Sequence, residues 1–152
     1  MPPEVWALTT LPHVDYADAF VADIDSAPGR TGEQWAREIF EGAPTATRRA
    51  LRWGWLALGL ELGPTRSKRL VFGWEVRHRT PEFALLGIRS RLGFVAEVLC
   101  ERRQQSLLFA SFVHQENPTG RAICAVAAPV HRQAVRHLLE QTRRRESRQR
   151  RP

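Results

Sequence analysis

The stretch that decides the fold is Leu70-Val-Phe-Gly-Trp-Glu-Val-Arg-His-Arg79, together with three further runs: Phe83-Ala-Leu-Leu-Gly-Ile-Arg-Ser-Arg-Leu92, Phe94-Val-Ala-Glu-Val-Leu-Cys-Glu-Arg-Arg103 and Ser106-Leu-Leu-Phe-Ala-Ser-Phe-Val-His-Gln115. In the first run Leu70, Phe72, Trp74 and Val76 share one parity, opposite Glu75, Arg77 and Arg79. A period of two places successive side chains on opposite faces of a sheet. The second run sets Ala84, Leu86, Ile88 and Leu92 against Arg89 and Arg91. The third sets Phe94, Ala96, Val98 and Cys100 against Glu97 and Glu101. Thr80-Pro81-Glu82, Gly93 and Gln104-Gln105 separate the runs. Asn117-Pro118-Thr119-Gly120 has the composition of a type I turn, and the apolar run Arg121–Val130 then reads as a fifth strand that ends at Pro129. Five strands joined by short turns form an antiparallel meander, because parallel neighbours need long crossovers. A helix is expected from about His131, with Val135, Leu138 and Leu139 as its apolar stripe.

Upstream, residues 1–13 hold three prolines and read as an irregular lead-in. Ala17–Ile24 is a candidate first strand. Thr31 and Gln34 have the spacing of a capping box, and Trp35, Ala36, Ile39 and Phe40 come next on one helical face. Gly42 and Pro44 end that helix. Thr45 can cap a second helix running to about Leu60, whose later half, Trp53-Gly-Trp-Leu-Ala-Leu-Gly-Leu60, is apolar all round and is expected to be buried. The fold class is therefore α+β: an antiparallel sheet, a helical pair after the first strand and a C-terminal helix. The chain divides into three regions: the lead-in 1–13, one domain over 14–142, and an Arg-rich tail, 143–152, expected to be disordered.

Strand, helical pair, long meander and terminal helix is the order of the helix-grip fold of START, polyketide-cyclase and birch-allergen-like (SRPBCC) proteins. A closer resemblance lies in the last third. Asn117-Pro-Thr-Gly-Arg121, an apolar segment, Pro129-Val-His-Arg132 and an amphipathic helix through Leu138-Leu139 resemble the bacterial family known as domain of unknown function 2867. Asp15-Tyr-Ala-Asp-Ala-Phe20 and Glu82–Gly87 are similar to it as well. The resemblance spans roughly residues 13–142. Some such proteins carry the module behind a dinucleotide-binding domain, but no strand with a Gly-rich loop is present here. The family pattern has acids and histidines after the position of Gly87; this chain has Ile88-Arg-Ser-Arg-Leu-Gly-Phe94, so functions that need those acids are not implied.

The 152 residues suit one domain, and 43% hydrophobic with 26% charged residues excludes wholesale disorder. The net charge of +7 is uneven: residues 143–152 hold six arginines and one acid, Glu146, and so contribute +5 of it. All the basic residues but Lys68 are arginine, a bias that a GC-rich genome produces. Cys100 and Cys124 lie in apolar runs as small hydrophobes, which suggests neither a disulfide framework nor a zinc site. The first residues do not read as a signal peptide and no apolar run reaches the ~20 residues that span a bilayer, so a cytoplasmic setting is expected.

Three groups of residues are candidates for chemistry. Trp53, Trp55, Phe72, Trp74, Phe94 and Phe112 can line an apolar pocket between sheet and helix, or be plain core. His78 and His114, each continuing the parity of its strand, can act as acid or base near neutral pH, with Glu101 as a companion; alternatively they are surface residues at strand ends. His131 and Arg132, at the expected strand-to-helix junction, can hold an anion at a helix N-terminus or simply fix the junction. Arg121 would stand about 30 Å from His131 along an extended strand. The tail can bind nucleic acid or an acidic surface through phosphates, though it lacks an aromatic residue for stacking; solvation is the plainer reading. No cofactor or metal is expected. The functional expectation is a module for a small apolar or amphipathic ligand, with a cyclase- or dehydratase-like enzyme as the alternative.

Overall fold

A computed structural model describes residues 1–150. A short helix α1 (Pro3–Trp6) precedes strand β1 (Tyr16–Asp23), a 3₁₀ turn at Ala27–Gly29, and helices α2 (Gly32–Glu41) and α3 (Thr45–Ala57). Strands β2 (Leu70–Val71), β3 (Trp74–Arg79), β4 (Phe83–Ser90), β5 (Phe94–Arg102) and β6 (Ser106–Gln115) come next, then one long helix, α4 (Pro118–Gln149). The six strands form one antiparallel sheet in the order β1-β6-β5-β4-β3-β2. β1 closes onto the last strand of the meander, Tyr16 opposite Val113 and Asp23 opposite Ser106. A sheet of this kind with two helices after its first strand and a long helix after its last has the helix-grip arrangement.

One element differs in kind from the sequence reading. Arg121–Val130 is not a fifth strand: it forms the first half of α4, which begins at Pro118 and not near His131. Asn117-Pro-Thr-Gly is the helix cap. Asn117 Oδ1 accepts from the Gly120 N–H at 2.8 Å, and Pro118 occupies the first turn, where a missing N–H is harmless. A short apolar run cannot by periodicity alone be told from a helix segment, and Ala122, Ala125, Ala127 and Ala128 favour helix. Pro129 lies inside α4, where it removes the hydrogen bond to the carbonyl of Ala125; Ala125 is exposed, so water can serve that carbonyl.

Two smaller differences have local causes. Leu70–Arg79 is not one strand but a hairpin, with Val71 opposite Trp74. Phe72 (φ 48°) and Gly73 (φ 92°) form its two-residue loop, as the twist of a tight hairpin demands. The left-handed Phe72 is held by its N–H to Glu41 Oε2 (3.1 Å) and by its ring against Trp55. The later half of α3 is not buried: no α3 residue is fully buried, and Trp53 is 73% exposed. The capping box of α2 forms with both of its hydrogen bonds.

The tail is not a separate appendage as far as Gln149. It continues α4, and its inward residues are tied down. Glu146, almost fully buried, accepts from Arg30 Nη1 (2.6 Å) and Ser26 Oγ (3.0 Å). Arg145 bonds both the carboxylate and the backbone carbonyl of Glu38. Arg151 and Pro152 lie outside the described residues.

The main core lies between the helices and the sheet, with Trp35, Ile39, Phe40, Leu86, Phe109 and Leu138 among its members. The other face of the sheet carries a second core of Leu85, Leu99, Leu108, Ala110 and Phe112, capped by Val5 of the lead-in. Residues 1–13 are thus a cover for that face. Their anchor is Glu97, fully buried in the middle of β5. Its carboxylate accepts from the hydroxyls of Thr9 and Thr10, the N–H of Thr10 (2.9 Å) and Arg77 Nη1 (3.0 Å). A bulge between Val76 and His78 brings His78 to this face, where the strand alternation already places Arg77. Gly87 lets it cross β4, since a Cβ there would lie 2.0 Å from Arg77 Nε.

Burial alone would raise the Glu97 pKa, but the Thr10 and Thr9 hydrogen bonds and Arg77 outweigh it and hold the carboxyl below its ordinary value. The stability this gives is present above the unfolded-state pKa of about 4.3 and is lost as pH falls through the lower folded value. Replacing Thr9 and Thr10 with valine removes both hydroxyls and leaves burial opposed by the backbone N–H of position 10 and by Arg77. The double variant should lose about 1–3 kcal/mol in urea denaturation at pH 7, and its acid-unfolding midpoint, tracked by circular dichroism, should move to higher pH.

Candidate functional site

The inward face of α4 changes character along its length. From Val135 onward Val135, Leu138, Leu139 and Thr142 are fully buried. Before it, Ile123, Cys124, Ala127, Ala128, His131 and Ala134 keep the same helical spacing yet are only half-buried. The sheet beneath shows the same gap: Ala96 on β5 and Val113 on β6, directly paired and on the helix side, are half-buried although β5 is an interior strand. Across from α4, Leu51 and Trp55 of α3 and Leu58 just after it pack against this core and are half-buried too. These residues, on α3, the sheet and the first half of α4, form an apolar surface that the chain covers only in part.

Just before Val135, where the cover of α4 becomes complete, a polar cluster joins the middle of α4 to β1 and β6. Asp18 of β1 and Ser111 of β6 are register partners. His131 Nε2 lies 3.0 Å from Ser111 Oγ and 3.3 Å from Asp18 Oδ2. The Tyr16 hydroxyl donates to Asp18 Oδ2 at 2.6 Å, and Arg132 Nη1 reaches that hydroxyl at 3.4 Å. Burial pushes the Asp18 pKa up, but hydrogen bonds from His131, Tyr16 and Ser111 and the charge of His131 bring it below the ordinary value. Tyr16 is raised, by burial first and then by its bond to Asp18. The cluster presents an ionised carboxylate in a sheltered place, with a histidine that is 35% exposed beside it.

The sequence-derived candidates are distributed differently. Trp53 is on the outside of α3 and lines nothing. Phe112 is fully buried on the opposite face of the sheet, under Trp6 at 5.7 Å. Phe72 and Trp74 are buried around Trp55 in one aromatic group, and Phe94 is buried in the core on the helix side of the sheet. His78, His114 and Glu101 do not meet. The bulge at Arg77 resets the parity of β3, so His78 is paired with Leu85 and packed against the tilted ring of Phe83, on the face away from the helices. His114 is on that face too, 3.4 Å from Asp15 Oδ2. Glu101 is near the far end of β5 and pairs with Arg103. His131 and Arg132 are mid-helix, so the expected anion site at a helix N-terminus does not exist there. Arg121 is exposed in the first turn of α4, some 15 Å from His131 at a helical rise of about 1.5 Å per residue.

Asp18 and Tyr16 are the residues that sequence reasoning missed. Asp18 did break the alternation of the first strand, an acid at a position that should face the core, and that was the available signal.

A separate open depression of about 570 Å³ lies beside α2, lined by Glu33, Arg37, Arg48, Arg66 and Lys68 among others. Arg37 there is committed to the carbonyls of Ser67, Lys68 and Leu70, which makes it a staple for the 61–69 loop. Among the described residues no group of three or more His, Cys, Asp or Glu side chains is placed to hold a metal ion, and no helix is long and apolar enough to cross a membrane. A comparison with protein-family models and with curated proteins gives no match.

His131→Ala removes the hydrogen bond that does most to oppose burial at Asp18. The Asp18 carboxyl pKa, measured by NMR titration, should rise, and stability at pH 7 should fall by about 1–3 kcal/mol.

Proposed function

We propose that this chain is a binding module for a small apolar or amphipathic ligand, held in the cleft between α3, the sheet and the first half of α4. The observation that carries the reading is the half-buried state of inward-facing residues: Ile123, Ala127, Ala96 and Val113 point toward the interior but are not covered by the chain itself. Apolar side chains around a concave site with a few convergent polar groups are what small-molecule sites consist of. The helix-grip arrangement supports the same reading, because it leaves such a space between sheet and terminal helix. The resemblance of residues 13–142 to the domain of unknown function 2867 family, which we propose as the lineage, agrees with it. The dispersal of His78, His114 and Glu101 leaves the cyclase- or dehydratase-like alternative without a shared site at those residues.

The two cysteines give a direct test. Cys100 is fully buried and its thiol is pushed up to about 12 by burial, whereas Cys124 is half-buried on the inward face of α4. A thiol reagent should therefore modify Cys124 alone in the native protein, and the neutral fluorophore 1-aminoanthracene should slow that reaction as it fills the cleft. Ala127→Phe should weaken 1-aminoanthracene binding by roughly tenfold or more with little change in Tm. Absence of fluorophore binding, or unchanged binding in this variant, would overturn the reading.

A further inference from the structure

Two stretches of this chain are apolar on every side, and the chain does not cover them. Trp53-Gly-Trp-Leu-Ala-Leu-Gly-Leu60 forms the end of α3 and the turn after it. Ala122-Ile-Cys-Ala-Val-Ala-Ala-Pro-Val130 forms about two and a half turns of α4. A helix that is apolar all round belongs in an interior. Here Trp53 is 73% exposed, Val126 79% and Val130 68%. Trp53 stands two residues from Trp55, which packs into the core, so helical spacing turns it away from the sheet. Val126 stands five residues from His131, which meets Ser111 of β6, and is turned outward in the same way. Both helices run between the same two ends of the molecule. At one end Gln141 donates to Thr47 (3.2 Å). At the other, Ser90 donates to the Leu58 carbonyl and Gly93 abuts Gly120, with Leu92 exposed between those two contacts. Trp53, Leu56, Leu92, Val126 and Val130 are five of the eight large apolar side chains exposed among the described residues. Apolar exposure gathered on one side of a molecule marks an interaction surface.

The charge around this surface selects the partner. α3 contributes Arg48, Arg49 and Arg52, and residues 117–139 contribute Arg121, Arg132 and Arg136, with no acid in either segment. Arg49 and Arg52 share the exposed face of α3 with Trp53 and Leu56. Acids at the margin are already engaged: Glu116 with Arg89, and Glu140 with Arg143 and Arg144. A second copy docking through the same face would set these arginines against one another, because a two-fold interface is one patch used twice. Anionic lipid headgroups complement them. Helices with exposed Trp and Leu bordered by Arg suit the plane of a bilayer interface, where an indole rests at the level of the headgroups. We propose that the outward faces of α3 and the first half of α4 dock together on an anionic lipid surface. Trp53, Leu56, Val126 and Val130 enter the headgroup layer, and Arg49, Arg52 and Arg121 meet its phosphates. This goes beyond the ligand reading and does not rest on it.

Co-sedimentation of the full chain with lipid vesicles tests the proposal. The protein should pellet with vesicles of equal parts phosphatidylglycerol and phosphatidylcholine and stay in solution with phosphatidylcholine alone. Trp53→Ser combined with Val126→Ser should lower the partition coefficient roughly tenfold or more and leave Tm unchanged, since both side chains are exposed. The Arg-rich end of α4 can hold acidic vesicles by charge alone, and this double variant separates the two sources of binding. A second measurement places the indole: lipid brominated near the headgroup should quench tryptophan emission in the wild type and quench it less in Trp53→Phe. A wild-type chain that does not pellet, partition unchanged in the double variant, or equal quenching with and without Trp53 would overturn the proposal. A dimer in sedimentation velocity that the double variant dissolves would overturn it too, by assigning the surface to a second copy.

Discussion

The seating of α4 is the constraint on which the rest depends. At its start, Gly120 rests on the backbone of Gly93 in the β4–β5 turn so closely that a Cβ would lie 2.0 Å from the Gly93 carbonyl oxygen. Gly93 in turn has φ +109°, and a Cβ there would strike Asn117, the residue that caps the helix. Toward its other end Glu146 is clamped by Arg30 and Ser26, and Arg145 by Glu38. A helix held at both ends crosses the sheet on a path that its middle cannot choose. Its later half lands on the core beside α2. The half before Val135 leaves its inward residues, and Ala96 and Val113 on the sheet, only half-buried.

The two faces of the sheet are closed by different means. The helix side is covered by apolar burial, with Trp35, Phe40, Phe109 and Leu138 meeting in one core. The other side has too little chain above it for a comparable layer, and it relies on a few apolar contacts from Val5 and Trp6 together with one buried carboxylate. Glu97 collects hydrogen bonds from two threonines and an arginine that come from separate parts of the chain. A buried charge is tolerable only when paired and hydrogen-bonded, so these partners hold the lead-in and the bulged strand β3 to one geometry. Asp18, on the opposite face, is the contrasting case: its Oδ2 is served and its Oδ1 is left without a donor among the described residues.

What the sequence by itself determined is the part of the fold that rests on local periodicity and local hydrogen bonds. The alternation of Phe94, Ala96, Val98 and Cys100 against Glu97 and Glu101 marks a strand that forms as Phe94–Arg102, and the Thr31–Gln34 spacing marks a helix start that forms as a capping box. The α+β class comes from these, because a period of two and a period of 3.6 are visible in the chain before it folds. The tertiary structure decided the rest. Arg121–Val130 is apolar enough for a buried strand or a helix, and the choice falls to the Asn117 cap and the Gly120–Gly93 contact, the latter made with a residue 27 positions away. A one-residue bulge moved His78 to the other face, and no pattern in β3 announces it. Asp18 and His131 are more than a hundred residues apart; they meet because β1 pairs with the last strand and α4 returns over that pair. Contacts of that range depend on how elements pack, and the local sequence holds no record of it.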